Sequence, residues 1–173
     1  MVRPETVKRV HGAVLGLAQR GGPSALTMEG IATEAGVGKQ TLYRNWPSVH
    51  AILFDALAVD DTSPTGPGAS DTIEGLLKAA IDEISTEPRC SLLRMLAASI
   101  QTDAVVAREF HERLLSPQVA HIQRIVSALG VEDPGHTPEL LLSPIFYRWF
   151  MRLPQFQEKE LMQHVRNVLI PRP

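Results

Sequence analysis

The sequence predicts an all-α fold of about nine helices. Apolar residues recur at steps of three and four along most of the 173 residues. No stretch sustains the apolar–polar alternation of a half-buried strand. Glycine and proline fall between several of the periodic stretches, where they act as stop signals. Apolar residues make up 44% and charged residues 21%, the balance of a soluble globular protein. No run approaches the ~18 apolar residues of a membrane span. The opening MVRPETVKRVHG has no long apolar core and no cleavage site. The expectation is therefore a cytoplasmic protein without a signal peptide or membrane partner. Cys90, the single cysteine, excludes an internal disulfide framework and reads as a packing residue.

The first helix carries Val7, Val10, Val14, Leu17 and Ala18 on one face and stops at Gly21-Gly22. Thr27 is placed to cap the second, whose inner face is Met28, Ile31, Ala32 and Ala35. Gly36 sits where the chain must turn sharply, with Val37 filling the corner. A third helix begins near Gly38 and a fourth carries Val49, Ile52, Leu53, Ala56 and Leu57. Residues 60–70, DDTSPTGPGAS, hold two prolines and two glycines and read as a break. The expected division is an N-terminal domain at 1–58, a linker at 59–70 and a second helical domain at 71–173.

That second domain opens on Asp71-Thr72-Ile73-Glu74, which resembles a capping box. Ile73, Leu76, Leu77, Ala80, Ile81 and Ile84 follow as a stripe that Pro88 ends, and Leu92, Leu93, Leu96 and Ile100 mark the next helix. Asp103 caps a long segment to Leu129 that Pro117 kinks or splits. After Gly130, Thr137-Pro138 starts a helix with Leu140, Leu141, Ile145, Phe146, Trp149 and Phe150, and a last helix runs from about Gln157 to Leu169.

The chemistry concentrates in residues 27–46, TMEGIATEAGVGKQTLYRNW. In the third helix Leu42 and Trp46 point to one side, while the pairs Lys39/Tyr43 and Gln40/Arg44 face away from it. A short helix with an apolar back and a Lys/Gln/Tyr/Arg front fits a major groove. Glutamine can bond two atoms of a base edge, lysine and arginine can reach guanine or phosphate, and tyrosine reaches phosphate. Net charge is −2, yet residues 1–58 hold six basic and four acidic side chains against eleven and fifteen in the remainder. The N-terminal third is thus the part suited to an anionic partner.

Thr27, Ile31-Ala32, Ala35-Gly36-Val37, Lys39, Thr41-Leu42-Tyr43 and Trp46, followed by Ser48 and Ile52-Leu53, resemble the DNA-binding domain of the TetR family of transcriptional repressors. The resemblance covers about residues 6–57; beyond residue 70 only the architecture is similar. It implies a homodimer, a three-helix DNA-binding unit and a larger helical domain for a small-molecule effector and dimerisation. By position, Lys39, Gln40 and Thr41 resemble groove contacts, and Thr27, Tyr43 and Asn45 phosphate contacts. Arg44 joins them as a groove-side cation. Two departures stand out. Val49 replaces a lysine frequent at that position, and Gly30 lies inside a helix at a cost of roughly 1 kcal/mol.

Other chemistries find little support. Gly36-Val37-Gly38-Lys39-Gln40-Thr41 lacks the first glycine and the hydroxyl after lysine that a phosphate-binding loop needs. The six histidines make no i,i+3 or i,i+4 pair, so no metal site is expected. There is no nucleophile-elbow sequence, hence no catalytic residue and no cofactor are assigned, and an enzyme is not expected. Leu77, Ile81, Met95, Leu96, Ser99, Phe110, Leu114 and Trp149 are expected to line a largely apolar effector pocket. The terminal stripe Leu161, Val165, Val168 and Leu169 is expected at the dimer interface. The alternative is a ligand-binding or protein-interaction module whose helix-turn-helix is weakened, favoured by Val49 and by Glu29 beside the groove face.

Overall fold

The computed structural model describes residues 3–58, 70 and 72–170. Among them there is no strand, and the protein is all-α. The helices are α1 (Pro4–Gly21), α2 (Met28–Ala35), α3 (Lys39–Asn45), α4 (Val49–Ala58), α5 (Ile73–Ser85), α6 (Arg89–Ser99), α7 (Ala104–Phe110), α8 (Ser116–Ala128), α9 (Thr137–Phe150) and α10 (Glu158–Leu169). A π turn, His111–Leu115, joins α7 to α8 without a break. Counting that stretch once gives nine α-helical segments among the described residues, in line with the about nine expected. None of the described helices is long and apolar enough to cross a membrane. Residues 59–69 of the expected linker, and Asp71 of the expected capping box, lie outside the described residues. The observed cap of α5 is Thr72, whose hydroxyl accepts the Gly75 N–H at 3.2 Å.

The chain forms two compact units, and neither follows the expected cut at residue 58. The N-terminal unit comprises Met1–Val59 together with Ser85–Leu114; the second comprises Asp60–Ile84 and Leu115–Pro173. The difference has a packing cause. Helix α6 rests on α1 and α4, and α7 also touches α4. Leu92 and Leu96 of α6 are fully buried, as are Val10, Val14, Ile52 and Leu53 in that unit. At ~25 cal/mol per Å², this burial supplies stability that the first four helices would lack alone.

In the second unit α9 packs on α8 and α10. Ile122, Leu141, Ile145 and Val165 are buried there. Asp103 caps α7 as expected, its carboxylate accepting the N–H groups of Val105 and Val106 at 2.9 and 3.2 Å. Gln157 caps α10, and Glu160 returns a hydrogen bond to the Gln157 N–H at 2.9 Å. Pro117 has no N–H to return to the Arg113 carbonyl four residues earlier, and the helix widens to π geometry just before it.

Candidate nucleic-acid interface

Helix α2 starts at Thr27, whose Oγ1 accepts the Gly30 N–H at 3.0 Å. Gly30 explains itself here. A Cβ at that position would lie 3.0 Å from the Thr27 Oγ1 and 3.1 Å from the Ala25 carbonyl. The glycine that costs helix propensity is what lets the cap and the preceding turn close up. Helix α2 ends at Gly36 in the left-handed region (φ 60°), with the Val37 N–H bonded to the Ala32 carbonyl at 2.9 Å. A side chain would be strained at that φ, so the turn between α2 and α3 depends on glycine.

Helix α3 has seven residues, too few to hold itself in water. Leu42 is fully buried and Trp46, just past its end, is 4% exposed. On the opposite side Lys39, Gln40, Tyr43 and Arg44 are all exposed. Thr41 and Asn45 are half-buried, and Asn45 donates its amide to the Thr41 carbonyl at 2.6 Å. Asn45 is thus partly engaged, whereas Thr27 is exposed and keeps its hydroxyl proton free to donate. Lys39 Nζ lies 3.6 Å from a carboxylate oxygen of Glu29. An exposed pair of this kind is worth little, but it places an acidic side chain beside the exposed face of α3.

Behind α3 the Trp46 Nε1–H donates to Asp55 Oδ2 of α4 at 2.9 Å. The other carboxylate oxygen accepts from Arg113 Nη2, also at 2.9 Å. His11 Nε2, buried and without a hydrogen-bond partner, is 3.9 Å from Asp55 Oδ2. Burial lowers the His11 pKa below its ordinary value, and the Asp55 carboxylate offsets part of that. A lowered folded pKa means that the native state resists protonation more than the unfolded chain does. The stability contributed is full above the ordinary histidine range and is lost as pH falls through the folded pKa. Urea midpoints should therefore drop between pH 7.5 and pH 5, and a His11→Gln chain should lose less over the same interval. An equal loss in both would remove His11 as the cause. Sequence reasoning passed over Asp55, His11 and Arg113. The available signal was an aspartate within the otherwise apolar VHAILFDALA of α4.

The other expected residues divide between the units. Leu77, Ile81 and Trp149 lie in the second unit, and Met95, Leu96, Ser99, Phe110 and Leu114 in the N-terminal one. Leu77 and Leu96 are fully buried, and Ser99 Oγ donates to the Met95 carbonyl and meets His50 Nε2 at 3.1 Å. The Trp149 indole nitrogen is buried with no partner. Leu161 and Val165 are covered within their own chain against α9, and Val168 and Leu169 are half-buried. A side chain already buried in one copy has little apolar area left to offer a second. The exposed apolar side chains of this region are instead Leu140, Tyr147, Phe150, Met151, Leu153, Met162 and Ile170.

A capped helix, a left-handed glycine turn and a second helix pinned from behind make the N-terminal unit a helix-turn-helix of the DNA-binding regulator class. The family model for bacterial regulatory proteins of the tetR family matches residues 13–56. The matched stretch is the helix-turn-helix, and the chain as a whole is similar to TetR-family transcriptional regulators. It is 24% identical over 155 residues to the uncharacterized HTH-type transcriptional regulator YdeS of Bacillus subtilis (strain 168), covering 83% of this chain and 77% of that one. It is 39% identical over 69 residues to the HTH-type transcriptional repressor KstR of Rhodococcus jostii (strain RHA1), which is 37% of this chain and 32% of KstR. The crystal structure of the TetR family transcription regulator SCO0332 superposes with a TM-score of 0.68 at 25% identity, covering 95% and 97% of the two chains. These relatives are named as transcriptional regulators, and none is named as an enzyme.

Proposed function

We propose that the protein is a repressor that binds a palindromic operator as a homodimer and leaves it when a small hydrophobic effector binds. The observation that carries this reading is α3, with Leu42 and Trp46 buried behind it and Lys39, Gln40, Tyr43 and Arg44 exposed in front. Thr27, Tyr43 and Asn45 would hold phosphates and Gln40 and Thr41 would meet base edges, with Lys39 and Arg44 on the groove side in reach of guanine or phosphate. Repression is supported by the likeness to KstR, a named repressor, over 69 residues. The homodimer is supported by the exposed apolar side chains of α9 and the turn after it, Tyr147, Phe150, Met151 and Leu153, since such clusters mark interaction surfaces. Two copies would set their α3 helices about 34–36 Å apart, one turn of DNA. An effector is supported by the Trp149 indole N–H, a buried donor without an acceptor in the same unit as Leu77 and Ile81.

Titration of palindromic and scrambled duplexes at several salt concentrations tests the proposal. Lys39→Ala should weaken binding to both and lower the salt slope by about one per recognition helix. Gln40→Ala should narrow the gap between the two duplexes. Unchanged curves for both variants would remove α3 as the reading helix. The Lys39–Glu29 pair and the engaged Asn45 amide favour, as a second reading, a ligand or interaction module with a weakened motif. Wild-type protein that shows no salt-dependent DNA binding would support it.

A further inference from the structure

We infer that Arg113, acting through Asp55 and the Trp46 indole, is a positioning residue for the DNA-reading helix α3. The inference rests on the DNA-binding reading above, but Arg113 lies well outside residues 13–56, the part of the chain that matches the family. It nevertheless belongs to the N-terminal unit.

Helix α3 has two anchors. Leu42 is held by apolar burial, which is strong but non-directional. Trp46 ends the helix, its backbone N–H bonded to the Leu42 carbonyl at 2.9 Å. The one polar atom of its side chain, Nε1, donates to Asp55 Oδ2. This bond is directional and charge-assisted, and so it fixes how the ring, and with it the end of α3, is turned. Asp55 could swing away from the indole if nothing held its other oxygen. Arg113 holds it, with Nη2 2.9 Å from Oδ1. The guanidinium is steadied in turn by Glu109, 3.6 Å from Nη1, and by the Phe54 ring, whose centroid is 5.7 Å from Cζ. Phe54 is buried and Arg113 half-buried, so the cation is pinned against the core rather than free in solvent. The π turn that Pro117 imposes is where the chain presents this side chain. Such turns are rare and occur disproportionately at functional positions.

The test compares the full-length wild-type chain with Arg113→Met, which keeps length and apolar packing, and Arg113→Lys, which keeps the charge but not the fork. Amide hydrogen exchange is read on the free proteins, and affinity is read on the same palindromic duplex at one salt concentration. In Arg113→Met the amides of α3 should exchange about tenfold faster while those of α1 and α6 hold their protection. Affinity should fall about three- to tenfold, with Arg113→Lys in between. Unchanged exchange in α3 overturns the inference. So does acceleration throughout the unit with affinity preserved, the signature of a purely stabilising contact. If wild-type protein does not bind the duplex at low salt, the DNA reading fails. Exchange in α3 then decides the positioning claim alone.

Discussion

Leu42→Ala should destabilise the N-terminal unit by about 2–5 kcal/mol, the range for deleting a fully buried leucine. For a chain of this size that is a fall of about 4–20 °C in Tm. Leu42 is the one buried residue of α3, and it has no exposed surface. A seven-residue helix has no independent stability to fall back on, so the loss should take α3 with it. Circular dichroism followed through urea unfolding measures the first effect and duplex binding the second. Gln40→Ala, on the exposed face of the same helix, should stay within about 0.5 kcal/mol of wild type. A Leu42→Ala chain that loses less than about 1 kcal/mol, well below the range for a buried leucine, would show that α3 is not held by its back.

Placing glutamate at both Tyr147 and Met151 should convert the proposed dimer to monomer with little effect on the folding of each chain. Both side chains are more than half exposed in the single chain, so charge there costs the fold about 0.5 kcal/mol or less. In a dimer the same charges would be desolvated without partners, a penalty of several kcal/mol. An increase of at least about 100-fold in the dimer Kd is expected, equivalent to ~2.7 kcal/mol. Sedimentation at micromolar concentration reads the change, and operator affinity should fall in step because each copy then binds alone. Leu161→Ala is the contrasting variant. Its side chain is in the core of its own chain, so it should lower Tm without moving the dimer equilibrium. If the double variant sediments as wild type does, the face on α9 is not the interface.

The helix-turn-helix was legible because every local signal agreed. Thr27 caps, Gly36 turns, and Leu42 and Trp46 recur four apart, and each of these acts within a few residues of itself. The reading weakened where the answer depended on a distant partner. The stripe Leu161–Val165 announces that α10 has an apolar face, but the same stripe would serve a dimer or a core, and α9 of the same chain covers it. Periodicity likewise gave α6 its buried face without saying that α1 and α4 receive it. Gly30 read as a defect because the Ala25 carbonyl that crowds it comes from the preceding turn, not from the helix. Asp55 and Arg113 are 58 positions apart, and no spacing rule joins them.

The interleaving of the two units has a consequence for how the protein can be made and divided. Helices α6 and α7 come after α5 in the chain, yet they complete the unit that contains α3. During synthesis the first four helices leave the ribosome before the surface they must bury against exists. The unit they belong to is complete only once residue 114 has been made. A gene fragment cut after residue 58 would encode the exposed side chains of α3 and none of Leu92, Leu96 or Arg113. Grafted onto another sensor, that fragment would carry the letters of the reader without its spine. A portable version has to retain Ser85–Leu114 as well.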